Sequence, residues 1–202
     1  MHIPDGIITI DQALIYWILT ILIMAICFYK FQKDKKIVSM AIFSVFTVII
    51  TSLSIPSPLG VPIHFFLIPL IAIILGPYSS SIVAFISLII QALALNMGGL
   101  TSLGANFIVI GFIISITTYF FYNLFKDLNE KFAIFGGTVI GIIFATLGQI
   151  IILLISGTMS LNALLATLLP FYLFISIIEG AANVVIISAI KTMKPEIMEI
   201  NK

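Results

Sequence analysis

Two histidines, together with the free amine of a chain that starts Met-His, are the groups in this sequence best suited to bind a metal ion. His2 and His64 are the only histidines. The Met1 amine, the His2 amide nitrogen and the His2 Nδ1 would form two fused chelate rings, leaving one position of a square plane for a second imidazole. Such nitrogen-rich sites favour Ni²⁺ or Cu²⁺ and accept Co²⁺, whereas Mg²⁺ and Ca²⁺ prefer oxygen ligands. Met1 is expected to stay in place, because His2 is too bulky for the aminopeptidase that removes initiator methionines.

Protonation should compete with this chelate. Metal binding must displace protons from the α-amine and from His2, whose reference pKa values are about 7.7–8.0 and about 6.5. The affinity is therefore expected to fall as the pH drops below neutral. Each histidine also has an ordinary explanation: a histidine at position two can arise by chance, and one at a helix start is often a polar residue at the membrane surface.

The composition places these histidines in a polytopic membrane protein. Hydrophobic residues make up 61% of the 202 residues and charged residues only 8%, whereas a soluble domain carries about 25% charged residues. Too few charges remain for a water-facing surface or for the basic face that nucleic acid requires. A single cysteine, Cys27, excludes disulfides within the chain and cysteine metal clusters. The lack of a GxxxxGKS or GxxxxGKT sequence excludes ATP hydrolysis through a P-loop.

Seven apolar segments approach the length of about 20 residues that crosses the hydrocarbon core. Backbone groups in lipid must be satisfied within their own segment, so the fold is predicted to be an all-α bundle of seven transmembrane helices. The third segment is short and follows Pro62, which predicts that it begins in a loop that enters the membrane. Pro170 predicts a kink or break in the last segment. The predicted spans are 12–29, 37–54, 62–76, 79–95, 104–125, 132–155 and 161–190.

The lysines predict the orientation of this bundle. All nine basic residues are lysines, and each follows an odd-numbered predicted span. Because basic residues concentrate in cytoplasmic loops, the N-terminus is predicted outside and the C-terminus in the cytoplasm. This orientation brings His2 and His64 to the same outer face, which favours a shared site over two unrelated histidines.

The chain is expected to form a single membrane domain over residues 1–202. Within it we distinguish a metal-chelating segment (1–11), the seven-helix bundle (12–190) and a cytoplasmic tail (191–202). The start of the sequence has no basic region, and no small-residue cleavage site follows the first apolar stretch, so no cleaved signal peptide is expected.

Two further groups of residues have both a functional and a structural interpretation. The amides of Gln91, Asn96 and Asn106 flank a glycine-rich connection and can hydrogen-bond metal ligands, although such residues also serve ordinary turns and caps.

Deeper in the bundle, small residues permit close approach of helices, either to a coupling partner or within the bundle itself. An intramembrane carboxyl is costly and marks a candidate functional group. No metal ligation is expected of Glu179, whose position in the last span is nearer the cytoplasmic half. We predict a role in coupling or packing for Gly137, Gly141, Ala145, Glu179 and Asn183.

The sequence resembles the CbiM/NikM family, the substrate-specific (S) components of energy-coupling factor (ECF) transporters for cobalt or nickel. The likeness rests on MHIPDG at the start, on the histidine that opens the third span, on QALALNMGGLTSLGAN at 91–106 and on IIEG at 177–180. It implies an S-component bundle with an added N-terminal helix, in which Met1, His2 and His64 bind the metal. Tyr172 departs from the pattern, since many relatives carry histidine there.

The resemblance also implies partners and a location. An S component works in the cell membrane with a transmembrane coupling (T) protein and a pair of ABC-type ATPases, and any small accessory subunit is a separate chain here. Ni²⁺ or Co²⁺ is the transported substrate rather than a cofactor, and the resemblance does not distinguish the two ions. No enzymatic activity is expected.

Three other functions remain to be compared with this one. An S component for an organic vitamin would need a pocket of aromatic and polar side chains, and it would leave the two histidines unexplained. An intramembrane metalloprotease would need HExxH or a similar catalytic set, which the sequence lacks. A structural scaffold is compatible with the composition but predicts no affinity for metal.

Overall fold

The chain folds into helices that follow the predicted spans closely. A computed structural model describes residues 2–31, 33–53 and 64–199, so the predicted ligand Met1 lies outside the described residues. The described residues contain no strand, which confirms the all-helical prediction. The helices are α1 (Ile10–Lys30), α2 (Lys33–Ser52), α3 (Ile68–Leu75), α4 (Pro77–Leu95), α5 (Leu103–Phe125), α6 (Glu130–Ile155), α7 (Leu161–Met193) and α8 (Glu196–Glu199).

Five of these helices, namely α1, α4, α5, α6 and α7, are long and apolar enough to cross a membrane. Their outward faces carry large apolar side chains: Ile10 is 76% exposed, Leu93 65% and Val185 69%. Water would strongly disfavour such a surface, whereas lipid does not. In α2, the apolar part runs over Lys36–Ser52 and is somewhat shorter.

The third predicted span contains only a short helix. Its eight residues in α3 extend over about 12 Å, well short of the hydrocarbon thickness of about 30 Å. Residues 64–67 precede it without helical structure, as the sequence predicted for the start of this span. All eight residues of α3 are buried, so the helix lies inside the bundle, and Gly76 with a φ of 83° separates it from α4.

α7 is helical over all 33 residues, so the chain has no break at Pro170; the alternative that the sequence allowed, a kink, stays a prediction. Proline removes one backbone donor and leaves the carbonyl of Ala166 without its helical partner. Extensive packing of α7 against α6 supports the helix on both sides of the proline. One lost hydrogen bond is therefore tolerated, as it often is in transmembrane helices.

A wide π-helical stretch in α5, over Phe107–Ile113, was not predicted from the sequence. Gly111 lies directly beside the Phe107 ring, and a Cβ on this glycine would be 2.7 Å from a ring carbon. The same ring packs edge to face on Phe85, with 5.3 Å between the centroids. The missing side chain at Gly111 thus makes room for an aromatic contact between α4 and α5.

The row of small residues on α6 packs against α5 within the bundle. A Cβ at Gly137 would be 3.0 Å from the backbone oxygen of Thr118, and one at Gly141 would overlap the Thr118 hydroxyl. Ala145, one turn further, is fully buried. By contrast, a Cβ at Gly136 would meet nothing within 4 Å. Gly137 and Gly141 therefore pack against α5 of the same chain.

The described lysines collect at one end of the bundle, which we call the lysine end. Lys30 ends α1 and lies beside the same cavity as Lys36. Lys191 forms an ion pair with Glu130 at the start of α6. Residues 2–9 lie at the opposite end of α1, so the bundle has two chemically different ends.

Candidate metal site

The N-terminal segment, residues 2–9, is held against the start of α5 by a pair of hydrogen bonds from one side chain. The Ile3 backbone N–H donates to Asn106 Oδ1 at 2.7 Å, and Asn106 Nδ2 donates to the Ile3 carbonyl at 2.9 Å. Ser102 Oγ donates to the same carbonyl at 2.6 Å. Ile3 and Asn106 are both 2% exposed, so these backbone groups have no water to replace a lost partner.

A second set of contacts holds Asp5 against the loop between α4 and α5. Its carboxylate accepts the backbone N–H groups of Leu100 at 3.0 Å, Thr101 at 2.9 Å and Ser102 at 3.1 Å. The Thr101 hydroxyl also donates to it at 2.6 Å. Burial alone would raise the pKa of Asp5, but these hydrogen bonds outweigh it and lower the pKa below its usual value.

Two glycines let the loop approach the N-terminal segment this closely. A Cβ at Gly99 would overlap the Asp5 carboxylate, and one at Gly98 would be 3.7 Å from the Cβ of His2. Gly98 also has a φ of 80°, a conformation that residues with a side chain rarely adopt. The GG pair therefore fits both the path of the loop and the position of His2.

These contacts leave His2 half-buried. Its Nε2 is buried, and no described residue is hydrogen-bonded to it. Burial, together with the nearby charges of the chain's amino group and of His64, lowers the pKa of His2 to about 3. The sequence-based expectation that a metal must displace a proton from His2 near neutral pH is therefore wrong, since burial keeps the imidazole neutral.

His64 is held at the non-helical start of the third span. Its Nδ1 lies 3.1 Å from the Thr51 carbonyl. A carbonyl only accepts hydrogen bonds, so Nδ1 must carry the proton and Nε2 has the free lone pair. Thr51 sits near the end of α2 and is itself fixed, because its hydroxyl donates to the Thr47 carbonyl at 2.5 Å and accepts from Gln91 Nε2.

Glu179 holds the backbone next to His64. Its carboxylate accepts the N–H groups of Phe66 and Leu67, each at 2.9 Å. Leu67 has a φ of 61°, an uncommon conformation for a residue with a side chain. An acid in the middle of α7 thereby stabilises a bent segment that starts at His64.

His2 and His64 both line one cavity of about 270 Å³. Thr47, Thr51, Ser87 and Gln91 contribute polar groups to its lining. Among the residues that the structure describes, no cluster of three or more His, Cys, Asp or Glu side chains can hold a metal. A metal in this cavity would therefore need a ligand besides the two histidines. We call it the histidine cavity; its wall also contains Phe65, Phe66, Phe171, Tyr172, Met97, Ile68, Ala84, Leu88 and Ile110.

The remaining candidate residues lie away from this cavity. Asn96 is exposed and ends α4 in a left-handed conformation with a φ of 51°. Asn183 is buried and donates from Nδ2 to the Thr138 hydroxyl at 3.1 Å, which connects α7 to α6.

Sequence reasoning missed the role of Asp5, for which the Asp-Gly turn was the only signal. It also missed Thr51, whose ordinary helical surroundings carry no signal. Gln91 was expected beside the ligands, and in the structure it contacts His64 through Thr51.

Comparisons with known proteins point to metal transport. The CbiM family, described as a cobalt uptake substrate-specific transmembrane region, matches residues 2–197. The cobalt transport protein CbiM of Thermosipho melanesiensis is 32% identical over 98% of this chain and 90% of its own length. An Archaeoglobus fulgidus protein provisionally described as a fused nickel transport protein, NikMN, is 29% identical over 98% of this chain and 68% of its own length.

Solved structures of transition metal transporters share the fold. One, described as a transition metal transporter, is 27% identical with a TM-score of 0.85, covering 95% of this chain and 93% of that chain. A truncated transition metal transporter gives a TM-score of 0.84 at 27% identity, covering 95% and 99%.

Replacing Asn106 with alanine should release the N-terminal segment. The change leaves the Ile3 N–H without its partner, which costs about 1–3 kcal/mol for a buried group. Hydrogen exchange at residues 2–8 should accelerate by about 5-fold to 150-fold, since about 1.4 kcal/mol corresponds to a factor of ten. The exposed Asn162 supplies the control, Asn162→Ala, which should exchange like the native protein. Equal protection of residues 2–8 in both variants would contradict the anchoring role.

Acidification should weaken the same docking in the metal-free protein. The unfolded pKa of His2 is about 6.5 and the folded pKa is about 3, so docking is fully favourable above the first value and is weakened as the pH falls towards the second. The only tryptophan, Trp17, donates to the Leu100 carbonyl at 3.2 Å, and its fluorescence should report the change. His2→Asn should remove the fluorescence change at pH values above those at which Asp5 is protonated. Identical pH profiles of Trp17 fluorescence in the native and variant proteins would show that His2 does not cause the change.

Proposed function

Because the chain belongs to the CbiM family of cobalt uptake substrate-specific transmembrane proteins, we propose that it captures Co²⁺ or Ni²⁺ through the Met1 amine, His2 and His64. The family is one of transporters rather than enzymes, and the chain is a multi-pass membrane component of cobalt or nickel uptake. The ligand set and the coupling described below are the proposed parts.

The main support for the proposal is that two imidazoles, each able to coordinate a metal in its neutral form, line the same cavity. His64 has its Nδ1 on the Thr51 carbonyl, which leaves Nε2 as the coordinating atom. His2 is half-buried beside the same cavity and follows directly on the Met1 amine in sequence. The amine, the His2 amide nitrogen and the His2 Nδ1 supply three nitrogens, and His64 Nε2 supplies the fourth.

The donor set explains the choice of ion. Four nitrogens in a plane suit Ni²⁺ and Cu²⁺ and accept Co²⁺, while hard cations prefer oxygen. Deprotonation of the amine and the amide is still required, so metal affinity should remain pH-dependent. The lowered pKa of His2 means that the imidazole adds little to this dependence near neutral pH.

The size of the histidine cavity favours an ion over an organic vitamin. Pockets for organic ligands typically measure about 300–1,000 Å³, and this cavity measures about 270 Å³. A hydrated or partly dehydrated metal ion requires far less. The vitamin alternative also assigns no role to the imidazoles at its wall.

Orientation and coupling complete the proposal. With the lysine end in the cytoplasm, the histidine cavity faces the exterior and receives metal from there. A T protein and a pair of ABC-type ATPases would then drive the exposure of the site to the cytoplasm.

Blocking the amine tests the chelate. One alanine inserted before Met1 moves the amine away from His2, and the affinity for Ni²⁺ or Co²⁺ should fall by more than about 100-fold. Mutation of residues that only support the ligands lowers metal affinity by about 10–100-fold, so a larger loss indicates that a ligand was removed. Calorimetric titration of the purified protein measures the loss, and thermal unfolding of the metal-free forms checks folding. His64→Ala should cost less, since it removes one donor of four. Equal affinity of the native and extended proteins would refute the chelate.

Glu179→Gln tests whether the acid positions His64. Glutamine retains one acceptor but presents an NH₂ group to the second backbone N–H, so the segment at 64–67 should shift. Ni²⁺ affinity should fall about 10–100-fold, and the absorption bands of bound Ni²⁺ should move towards those of His64→Ala. The matched control is Glu196→Gln at the exposed start of α8. An unchanged Ni²⁺ spectrum in Glu179→Gln would show that the acid does not position His64.

A further inference from the structure

A second cavity lies at the lysine end, on the opposite end of α1 from His2. It measures about 680 Å³, and the proposed metal site uses none of it. Lys30 from the end of α1, Lys36 from the start of α2, and Asn123 from α5 all line it. Among the described residues of its lining there is no Asp or Glu. We call it the lysine cavity.

The cationic groups of the lysine cavity are held in place by the fold. Lys36 is only 8% exposed, and its Nζ donates to the Leu75 carbonyl at 3.1 Å. At the side of the cavity, Lys126 Nζ donates to Asn123 Oδ1 at 2.8 Å, which brings a third ammonium group next to a lining residue. Together with Lys30, which also lines the cavity, these lysines make this side of it positively charged.

The start of α4 adds backbone donors. α4 begins at Pro77, and Tyr78 and Ser79 of its first turn line the cavity. The first N–H groups of a helix have no acceptor within the helix, and together with the helix dipole they favour an anionic group such as a phosphate. The polar wall thus combines fixed ammonium groups with the N-terminus of a 19-residue helix.

An exposed apolar row forms the other wall. Ile116, Phe120 and Leu124 follow one another at intervals of four residues along α5, and all three line the cavity. Their exposed fractions are 36%, 60% and 56%. A free phosphate ion would gain nothing from this row, whereas an acyl chain would cover it.

We propose that the lysine cavity binds an anionic phospholipid, with the phosphate between Lys30, Lys36 and the start of α4 and an acyl chain along Ile116, Phe120 and Leu124. Basic pockets between transmembrane helices at the cytoplasmic side are suited to such headgroups. The bound lipid fills the space between α1, α2 and α5, with its phosphate beside the lysines and its acyl chain on the apolar row. This site is independent of the metal ligands.

Retention of lipid by the purified full chain tests the site. The protein is reconstituted in vesicles of equal parts phosphatidylcholine and phosphatidylglycerol, extracted in mild detergent and examined by native mass spectrometry. Phosphatidylglycerol should be retained in preference to phosphatidylcholine. Lys30→Gln and Lys36→Gln should each weaken retention by about fivefold, the factor that corresponds to about 1 kcal/mol per basic residue at an anionic surface.

Matched variants separate this site from general attraction to the membrane. Lys131→Gln and Lys194→Gln remove the same charge at the same end but lie outside the cavity lining, and they should retain lipid like the native protein. An equal loss in these controls would overturn the proposal, as would retention of phosphatidylcholine at the same level. Lys30 is exposed, so Lys30→Gln keeps the test valid if the buried Lys36→Gln variant misfolds.

The source of the phosphate is tested with the free headgroup. Glycerophosphoglycerol and inorganic phosphate are titrated against the detergent-purified protein, and both should bind much more weakly than phosphatidylglycerol. Phe120→Gln should weaken retention of the lipid without changing the weak binding of the free headgroup. Binding of inorganic phosphate as tight as that of the lipid would overturn the lipid assignment.

Discussion

The double hydrogen bond between the Asn106 side chain and the Ile3 backbone is the contact on which the geometry of the histidine cavity depends. Residues 2–9 contain no regular structure of their own, so nothing within the segment fixes His2. Asn106 hydrogen-bonds to both backbone groups of Ile3, which follows His2. Asp5, three residues after His2, holds the segment through a second set of hydrogen bonds. A flexible chain start thereby gains a position definite enough to contribute nitrogen ligands, because the entropy cost of ordering it is met by buried contacts.

His64 is fixed by an independent set of contacts. Thr51 orients the ring and Glu179 fixes the backbone that follows it. The two imidazoles therefore reach one cavity while different side chains hold them: Asn106 and Asp5 hold the segment that contains His2, and Thr51 and Glu179 hold the segment that contains His64.

The sequence was sufficient for the features that follow from apolar length and was insufficient for those that depend on tertiary neighbours. The spans, the short third segment and the convergence of two histidines could be predicted from hydropathy and lysine positions alone. The continuity of α7 at Pro170 could not be predicted, because a break also depends on the packing of the neighbouring helix. The contact between Glu179 and residues 66–67 could not be predicted, since more than a hundred residues separate them and no periodicity links the two.

The two ends of the bundle place opposite electrostatic demands on one chain. At the histidine cavity, burial favours the uncharged His2 imidazole, so this ligand offers a lone pair to a divalent cation without first losing a proton. At the lysine end, buried Lys36 and the start of α4 hold positive potential. A cation leaving the first cavity through the bundle would meet this potential before reaching solvent, and passage straight through the helices is therefore disfavoured. For the proposed transport of Co²⁺ or Ni²⁺, this electrostatic barrier favours release by a movement of the whole subunit over conduction through a pore.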